Sequence, residues 1–489
     1  MLFDAADGPR VFATGIGTDL CAALVDGLAA RLDGAPPHAM ARVEIWVATG
    51  RMQRRLKALF AARGPGVLPR IRPIQALGRI GDLAGAPPAA EPLALRLELA
   101  GLIGRLLDRF PDLAPRSALY DLADSLADLM GEMFEEGVTP EDIAAIDVAD
   151  HALYWQRAQQ ILAVLARYFD DGSAVTPQAR QGLVVDRLIR TWRTAPPPHP
   201  VLVAGSTGSR GATARLMRAV AGLPQGASVL PGLDRDLPPA VWRRLLEDRR
   251  DDLSGEDHPQ FRLAKIADLI GVVPWEIPEW HRAGDRVRPR SRAVSLALRP
   301  APMTDQWRSE GPLLEDLGAA FAPVVLLEAP SPQMEAASIA LRLREAAEAG
   351  QRAALIAADR RLVRQVTAAL DRWGIVPDDS AGQRLSQTPG GRFLRHVAGL
   401  MARPVGPEDI VAILKHPLCH SGADRAAHSR RTRDLELWMR RRASGAPSAR
   451  AVADWAAGRG HDPGAVRWAE WLGAHLRTAH DPGPRGARR

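Results

Sequence analysis

Short apolar runs, each followed by a polar loop and then by apolar residues at helical spacing, open the chain. Arg10-Val-Phe-Ala-Thr14 is one such run; Gly15-Ile-Gly17-Thr-Asp19 follows it, and Leu20, Leu24, Leu28 and Leu32 then recur every fourth residue. That spacing predicts one helix face. Val43-Glu-Ile-Trp-Val-Ala48, the loop Thr49-Gly50-Arg51 and a helix carrying Leu56, Leu59 and Phe60 repeat the order. Strand, loop and helix in succession predict a parallel sheet, because parallel strands need crossover connections. From about residue 91 to 193 the pattern turns helical, with Leu93, Leu97, Ile103 and Leu106, then Leu122, Leu126, Leu129 and Met133, then Tyr154, Ile161, Leu165 and Phe169. Thr139-Pro140-Glu141-Asp142 predicts a helix start, with Thr as cap and acids beside the positive end of the dipole.

The strand–helix order returns after the Pro-rich breaker 195–200. Val201–Ala204 reads as a strand, Gly205–Ser209 as a tight polar loop, Thr213–Ala221 as a helix and Ala227–Leu230 as a strand closed by the turn to Asp236. A sheet interrupted by helices and then resumed fits a nucleotide-motor-like core with an inserted helical subdomain. The expected organisation is therefore an α/β domain begun in 1–90, a helical insertion in 91–195 and the rest of the α/β domain in 196–275. A Pro- and Arg-rich linker is expected over 276–320. A second α/β unit follows in 321–414, with strands Val324–Leu327 and Ala353–Ala357 and helices through Ala336, Ile339, Ala340 and Leu343 and through Leu362, Val366 and Leu370. Residues 415–489 read as a basic helical segment of an incomplete domain.

At 489 residues the chain exceeds the roughly 250–300 residues at which single cores stop growing, and 46% apolar content excludes a disordered protein. The 64 Lys plus Arg against 57 acids give a net charge of +7. Lys occurs only at 57, 265 and 415, so the basicity is arginine's. From Lys415 onward there are 15 basic residues and 7 acids, whereas the first 414 residues carry 49 and 50. The excess lies wholly in the last segment, where it reads equally well as a phosphate-binding surface or a solvated one. Cys21 and Cys419 are the only cysteines, too few for a disulfide framework or a four-Cys cluster. No secretory leader or membrane span is legible, so a cytoplasmic protein without a membrane partner is expected.

Two loops invite comparison with a phosphate-binding loop, which needs glycines, a Lys for the phosphates and a Ser or Thr for magnesium. Gly205-Ser-Thr-Gly208-Ser-Arg210-Gly211 has five residues between its outer glycines and no Lys, and the Gly15/Gly17 loop also lacks one. Both read as degenerate loops that make turns or anion nests. Asp234-Arg-Asp236 and Asp378-Asp379 could bind metal but read better as local ion pairs or caps. Lys415-His416-Pro417-Leu418-Cys419-His420 reads as a helix end rather than a zinc site. Arg51, Arg54 and Arg55 start a helix and either contact phosphate or face solvent. Neither a catalytic residue nor a metal site is expected.

Several strings are familiar as a set: Val203-Ala-Gly205-Ser-Thr-Gly-Ser209, Gln225 to Asp236, Ile45 to Arg51, Leu68 to Pro73, Asp257-His-Pro-Gln260, Arg372-Trp-Gly-Ile375, Asp378 to Gly382, Gln387-Thr-Pro389 and Leu414 to Leu418. In order and spacing the chain resembles the AddB subunit of the bacterial AddAB helicase–nuclease, in its alphaproteobacterial form. The resemblance implies a helicase-like (RecA-like) parallel core whose motor motifs have decayed. It implies an AddA partner that supplies ATP-driven translocation, binding of DNA ends and single-stranded DNA, and a role in double-strand break repair by homologous recombination. Family members also carry a C-terminal magnesium-dependent nuclease with a four-Cys iron–sulfur cluster. Two cysteines cannot build that cluster, so the resemblance implies a truncated member, from a gene fragment or a frameshift, without ATPase or nuclease activity of its own. DNA contacts are expected from Thr49, Arg51, Ser206, Thr207, Ser209, Thr388 and Lys415. The alternatives are an ATP-dependent helicase or other nucleotide-binding α/β enzyme using an atypical loop at Gly205–Gly211, and an α/β scaffold that only holds a partner subunit.

Overall fold

Five strands, β1 (Val11–Gly15), β2 (Glu44–Val47), β3 (Arg70–Pro73), β4 (Val201–Ala204) and β5 (Gly226–Leu233), form one parallel sheet in the order β1-β5-β4-β2-β3. The computed structural model describes residues 2–4, 8–36, 38–79, 88–145, 176–247, 255–281, 289–402, 406–420, 424–442, 448–460 and 462–480. The chain divides into two compact units, Met1–Val325 and Leu326–Arg489, and the sheet belongs to the first.

Alternation along each strand feeds two cores. Val201 and Val203 of β4, Trp46 of β2 and Leu230 of β5 join one apolar cluster; Leu202, Ala204, Ile45, Val47 and Val229 join the other. The second face is covered by α1 (Leu20–Arg31) and, beyond the short α2 (Ala39–Arg42), by α3 (Gly50–Ala62). β3 carries one buried apolar residue, Ile71, between exposed Arg70 and Arg72. It is an edge strand that the hydrophobic pattern does not announce, and its charges suit an edge. The opposite edge is closed by Pro278–Trp280: the Ala13 amide donates to the Pro278 carbonyl (3.0 Å) and the Trp280 amide to that of Ala13 (3.0 Å). Trp280 is buried and lies so close to α1 that a Cβ on Gly27 would fall 2.3 Å from its Nε1.

The insertion begins with α4 (Pro92–Arg109) and α5 (Leu119–Glu136). The buried stripe of α4 is Leu95, Leu99, Ile103 and Leu107, offset from the expected one, and Leu93 and Leu97 face solvent. The leucine-rich helix offers more than one apolar row, and packing against α5 selects among them. α6 (Pro140–Ala144) starts with the expected cap: the Asp142 amide donates to Thr139 Oγ1 (3.3 Å) and the Thr139 amide to Asp142 Oδ2 (2.8 Å). The helix expected through Tyr154 and Phe169 lies outside the described residues. The other face of the sheet receives α7 (Pro177–Thr194), α8 (Gly211–Ala221), α9 (Pro239–Leu246) and α10 (Phe261–Ile270).

Three short helices, α11 (Pro289–Ala297), α12 (Gln306–Glu310) and α13 (Leu317–Phe321), occupy much of the segment read as a linker. Arg299 gathers it. Its side chain is 1% exposed, and the guanidinium donates to Gln306 Oε1 (2.8 Å), to the Ser295 carbonyl and hydroxyl (3.1 and 3.0 Å), and to the Asp236 carbonyl and Glu310 (both 3.3 Å). The Asp236 contact ties this segment to the turn after β5.

In the second unit α14 (Pro332–Glu348) packs on α15 (Arg360–Asp371) through Ala336, Ala340, Val366 and Leu370. The strands expected at Val324–Leu327 and Ala353–Ala357 do not form; Leu326 is 84% and Ile356 96% exposed. Apolar runs record strand propensity, but a parallel strand also needs paired neighbours and cover on both faces, and neither segment has them among the described residues. Beyond lie α16 (Pro389–Ala402), α17 (Pro407–Lys415), α18 (Arg425–Arg442), α19 (Ala449–Ala457) and α20 (Ala465–His480), with a core that includes Ile410, Leu414, Leu435, Trp455, Trp468 and Leu472. No helix among the described residues is long and apolar enough to cross a membrane.

Replacing Arg299 by Leu strands several buried acceptors, and the expected loss is about 2–4 kcal/mol of stability, read from urea denaturation. An unchanged urea midpoint would show that the arginine does not hold this segment.

Candidate nucleic-acid interface

All five strands run the same way, so their C-terminal ends open on one edge of the sheet. There β1 leads through Gly15–Asp19 into α1, β2 through Ala48 and Thr49 into α3, β4 through Gly205–Arg210 into α8, and β5 into Asp234–Asp236. Because Val47 pairs with Ala204 in adjacent strands, the loops after β2 and β4 are neighbours. Gly205 (φ +78°) makes the fit possible: a Cβ there would lie 2.6 Å from Met52 Sδ. The loop that carries Thr49 and Arg51 is thereby the neighbour of the loop that carries Ser206, Thr207 and Ser209, which joins two distant parts of the sequence.

The two glycine loops take conformations suited to an anion nest, with Gly17 at φ +71° and Gly208 at φ +65°. Protein carboxylates hold the helix starts that follow them. Asp19 caps α1, accepting from the Ala22 amide (3.1 Å) and pairing with Arg55 (3.1 Å). Burial raises its pKa, but the Ala22 amide and Arg55 outweigh that and hold the carboxyl below its ordinary value. At α8 the Gly211 amide donates to Glu136 Oε1 (3.2 Å) and Arg210 pairs with Glu135 (3.3 Å). The end of α5 in the insertion therefore sits where a phosphate would sit against that helix. Burial, with the neighbouring Glu136 and Glu132 charges, raises the Glu135 pKa against the opposing pull of Arg210. A Cβ on Gly211 would fall 2.3 Å from the Glu135 carbonyl oxygen, so the contact requires glycine. With carboxylates at both helix starts and no Lys in either loop, neither Gly15–Asp19 nor Gly205–Gly211 has the electrostatics of a nucleotide-phosphate site.

The hydroxyls have structural work as well. Thr49 Oγ1 accepts from the Met52 amide (3.1 Å) as the cap of α3, and Ser206 Oγ from the Gly208 amide (3.2 Å). Both hydroxyls retain a proton to donate. Arg51 and Ser209 are exposed and Thr207 half-buried. Two glutamines absent from the sequence-based expectations hold the platform: Gln53 Nε2 donates to the Ile71 carbonyl (2.7 Å) and Gln75 Nε2 to that of Ala48 (2.8 Å). They tie α3 to β3 and the β2 loop to the turn that follows β3. Their residue type carries no signal for this, since only the fold brings the acceptors near.

The Asp-rich turn is local structure. Asp234 Oδ1 accepts from the Asp236 amide (2.9 Å), the Asp234 amide donates to Gln260 Oε1 (3.0 Å), and Gln260 Nε2 donates to the Gly232 carbonyl (3.0 Å). Burial and the Asp234 charge raise the Asp236 pKa. No cluster of three potential metal ligands occurs among the described residues. In the second unit Asp379 pairs with Arg360 (3.0 Å). Thr388 Oγ1 donates to the Leu385 carbonyl (2.7 Å) and accepts from the Gly391 amide (3.0 Å), and Lys415 pairs with Glu436 (2.5 Å). The contacts of Thr388 and Lys415 thus serve the folding of their own unit. No protein-family model matches the chain, and no curated protein matches it.

Gly211→Ala drives a methyl group into the Glu135 carbonyl and is expected to cost about 1–3 kcal/mol in urea denaturation. Gly222→Ala, whose Cβ would meet its nearest atom at 3.6 Å, is the control expected to leave the midpoint nearly unchanged.

Proposed function

We propose that this protein is a helicase-like DNA-binding subunit of the AddAB type, whose RecA-like core has exchanged nucleotide handling for holding a single DNA strand in double-strand break repair. The observation that carries the reading is the pairing of two features on one sheet edge. Thr49 and Arg51 lie on the loop and helix start after β2, and Ser206, Thr207 and Ser209 on the loop after the adjacent β4, while Asp19 and Glu136 occupy the helix starts that nucleotide phosphates would need. The hydroxyls and the exposed Arg51 guanidinium suit sugar–phosphate contacts that position a strand without reading its bases. A parallel sheet in which β5 and β4 lie between β1 and β2 supports the RecA-like assignment, and the ordered sequence strings support the AddB assignment. On this reading AddA supplies the motor, and the atypical loop at Gly205–Gly211 is a packing joint to the insertion.

The test is fluorescence anisotropy of a labelled twenty-nucleotide polythymidine with the full chain across a salt series. Binding is expected to weaken steadily with salt, and Arg51→Gln to reduce the log–log slope by about 0.7. Absence of binding at low salt, or binding indifferent to salt, would overturn the proposal.

A further inference from the structure

Helix α18 carries seven arginines and two acids, and the fold sorts them. Arg425 donates to the Lys415 and His416 carbonyls (3.2 and 3.0 Å) and so closes the end of α17. Arg431 forks onto both oxygens of Asp462 (2.7 and 2.8 Å) and lies over Gly464, where a Cβ would fall 2.1 Å from its Nη2. The acids are consumed by partners: Asp434 by Arg459 (3.0 Å), and Glu436 by Lys415 (2.5 Å) and Arg440 (2.7 Å). Lys415 and then Arg440 hold the Glu436 pKa below its ordinary value. Arg430, Arg433 and Arg441 are exposed and form no ion pair among the described residues. At 100° per residue these three share the outer face with Leu437, opposite buried His428, Leu435 and Met439. With a rise of 1.5 Å per residue the row is about 16 Å long.

A cavity of about 380 Å³ adjoins Arg430, walled by the Arg431–Asp462 and Arg459–Asp434 pairs, with Trp455 beside them. Further along, Arg442 stacks on half-buried Trp438, 4.6 Å from the ring centre. We infer that the outer face of α18, with this cavity, is a second polyanion surface of the protein and takes the phosphodiester backbone of a nucleic-acid strand. An extended row of unneutralised guanidiniums suits a linear array of phosphates, and the Arg442 guanidinium laid over Trp438, with the cavity, suits unstacked bases. A membrane surface fits less well, because Leu437 is the one large apolar side chain on the row. The inference uses none of the residues behind the strand-end reading.

The experiment uses the full chain and labelled twenty-nucleotide polythymidine. The triple variant Arg430→Gln/Arg433→Gln/Arg441→Gln is expected to lower affinity at least about tenfold at moderate salt and to reduce the log–log slope by about 2, with an unchanged circular dichroism spectrum. The matching triple Lys variant is expected to keep the slope. Unchanged affinity and slope in the Gln triple would overturn the inference, as would a Lys triple that binds as weakly as the Gln triple. Polyglutamate binding as tightly as the oligonucleotide at equal salt would overturn the nucleic-acid assignment. Loss in the Gln triple but not in Arg51→Gln would sink the strand-end reading alone; the reverse would sink this one alone.

Discussion

Parallel strands aim the starts of their following helices at a single edge, and each start exposes backbone amides that need an acceptor. How those amides are satisfied decides what the edge can do. Asp19 answers for α1, Thr49 for α3, and Glu136, reaching from the insertion, for α8. Because carboxylates hold the starts of α1 and α8, a nucleotide's phosphates would meet like charge there. The same closures fix the loops after β2 and β4 against each other, with Gly205 resting on Met52 and the glutamines Gln53 and Gln75 tying the β2 side to β3. Positioning without nucleotide chemistry is the proposed outcome.

Much of the sheet was legible in the sequence because its strands are apolar on both faces. Val201–Ala204 is buried at every residue, and such a run between a Pro-rich breaker and a glycine loop announces itself. β3 did not, since an edge strand with one inward residue has almost no hydrophobic signal. The opposite failure occurred at Val324–Leu327 and Ala353–Ala357, where propensity was present and pairing was not. The Pro- and Arg-rich stretch before them carries short helices gathered on the buried Arg299, whose role no local pattern discloses.

The candidate site shows the same division. Thr49 and Ser206 were recognisable as loop hydroxyls, and that their loops are neighbours followed only from the register of β2 with β4. The Glu135 and Glu136 contacts with the second glycine loop lie far off in sequence, and nothing about those residues predicts them. Thr388 and Lys415 illustrate how a polar residue at a helix end is spent on a cap or an ion pair. The His-rich segment after Lys415 resolves into packing: Trp468 Nε1 donates to His428 Nδ1 (3.0 Å), and His428 Nε2 faces the Leu414 carbonyl (2.8 Å). Burial lowers the pKa of that imidazole, which fits a neutral core residue. Net charge, uninformative as a total, became informative once the pairing of each arginine on α18 was known.

The most direct measurement is photocrosslinking of a 4-thiothymidine-substituted single strand to the full chain, with the attached peptides identified by mass spectrometry. The account predicts crosslinks in the loops after β2 and β4, around Thr49–Arg51 and Ser206–Ser209. Absence of those crosslinks, together with labelling of Gly15–Asp19 by a photoreactive ATP analogue, would contradict it.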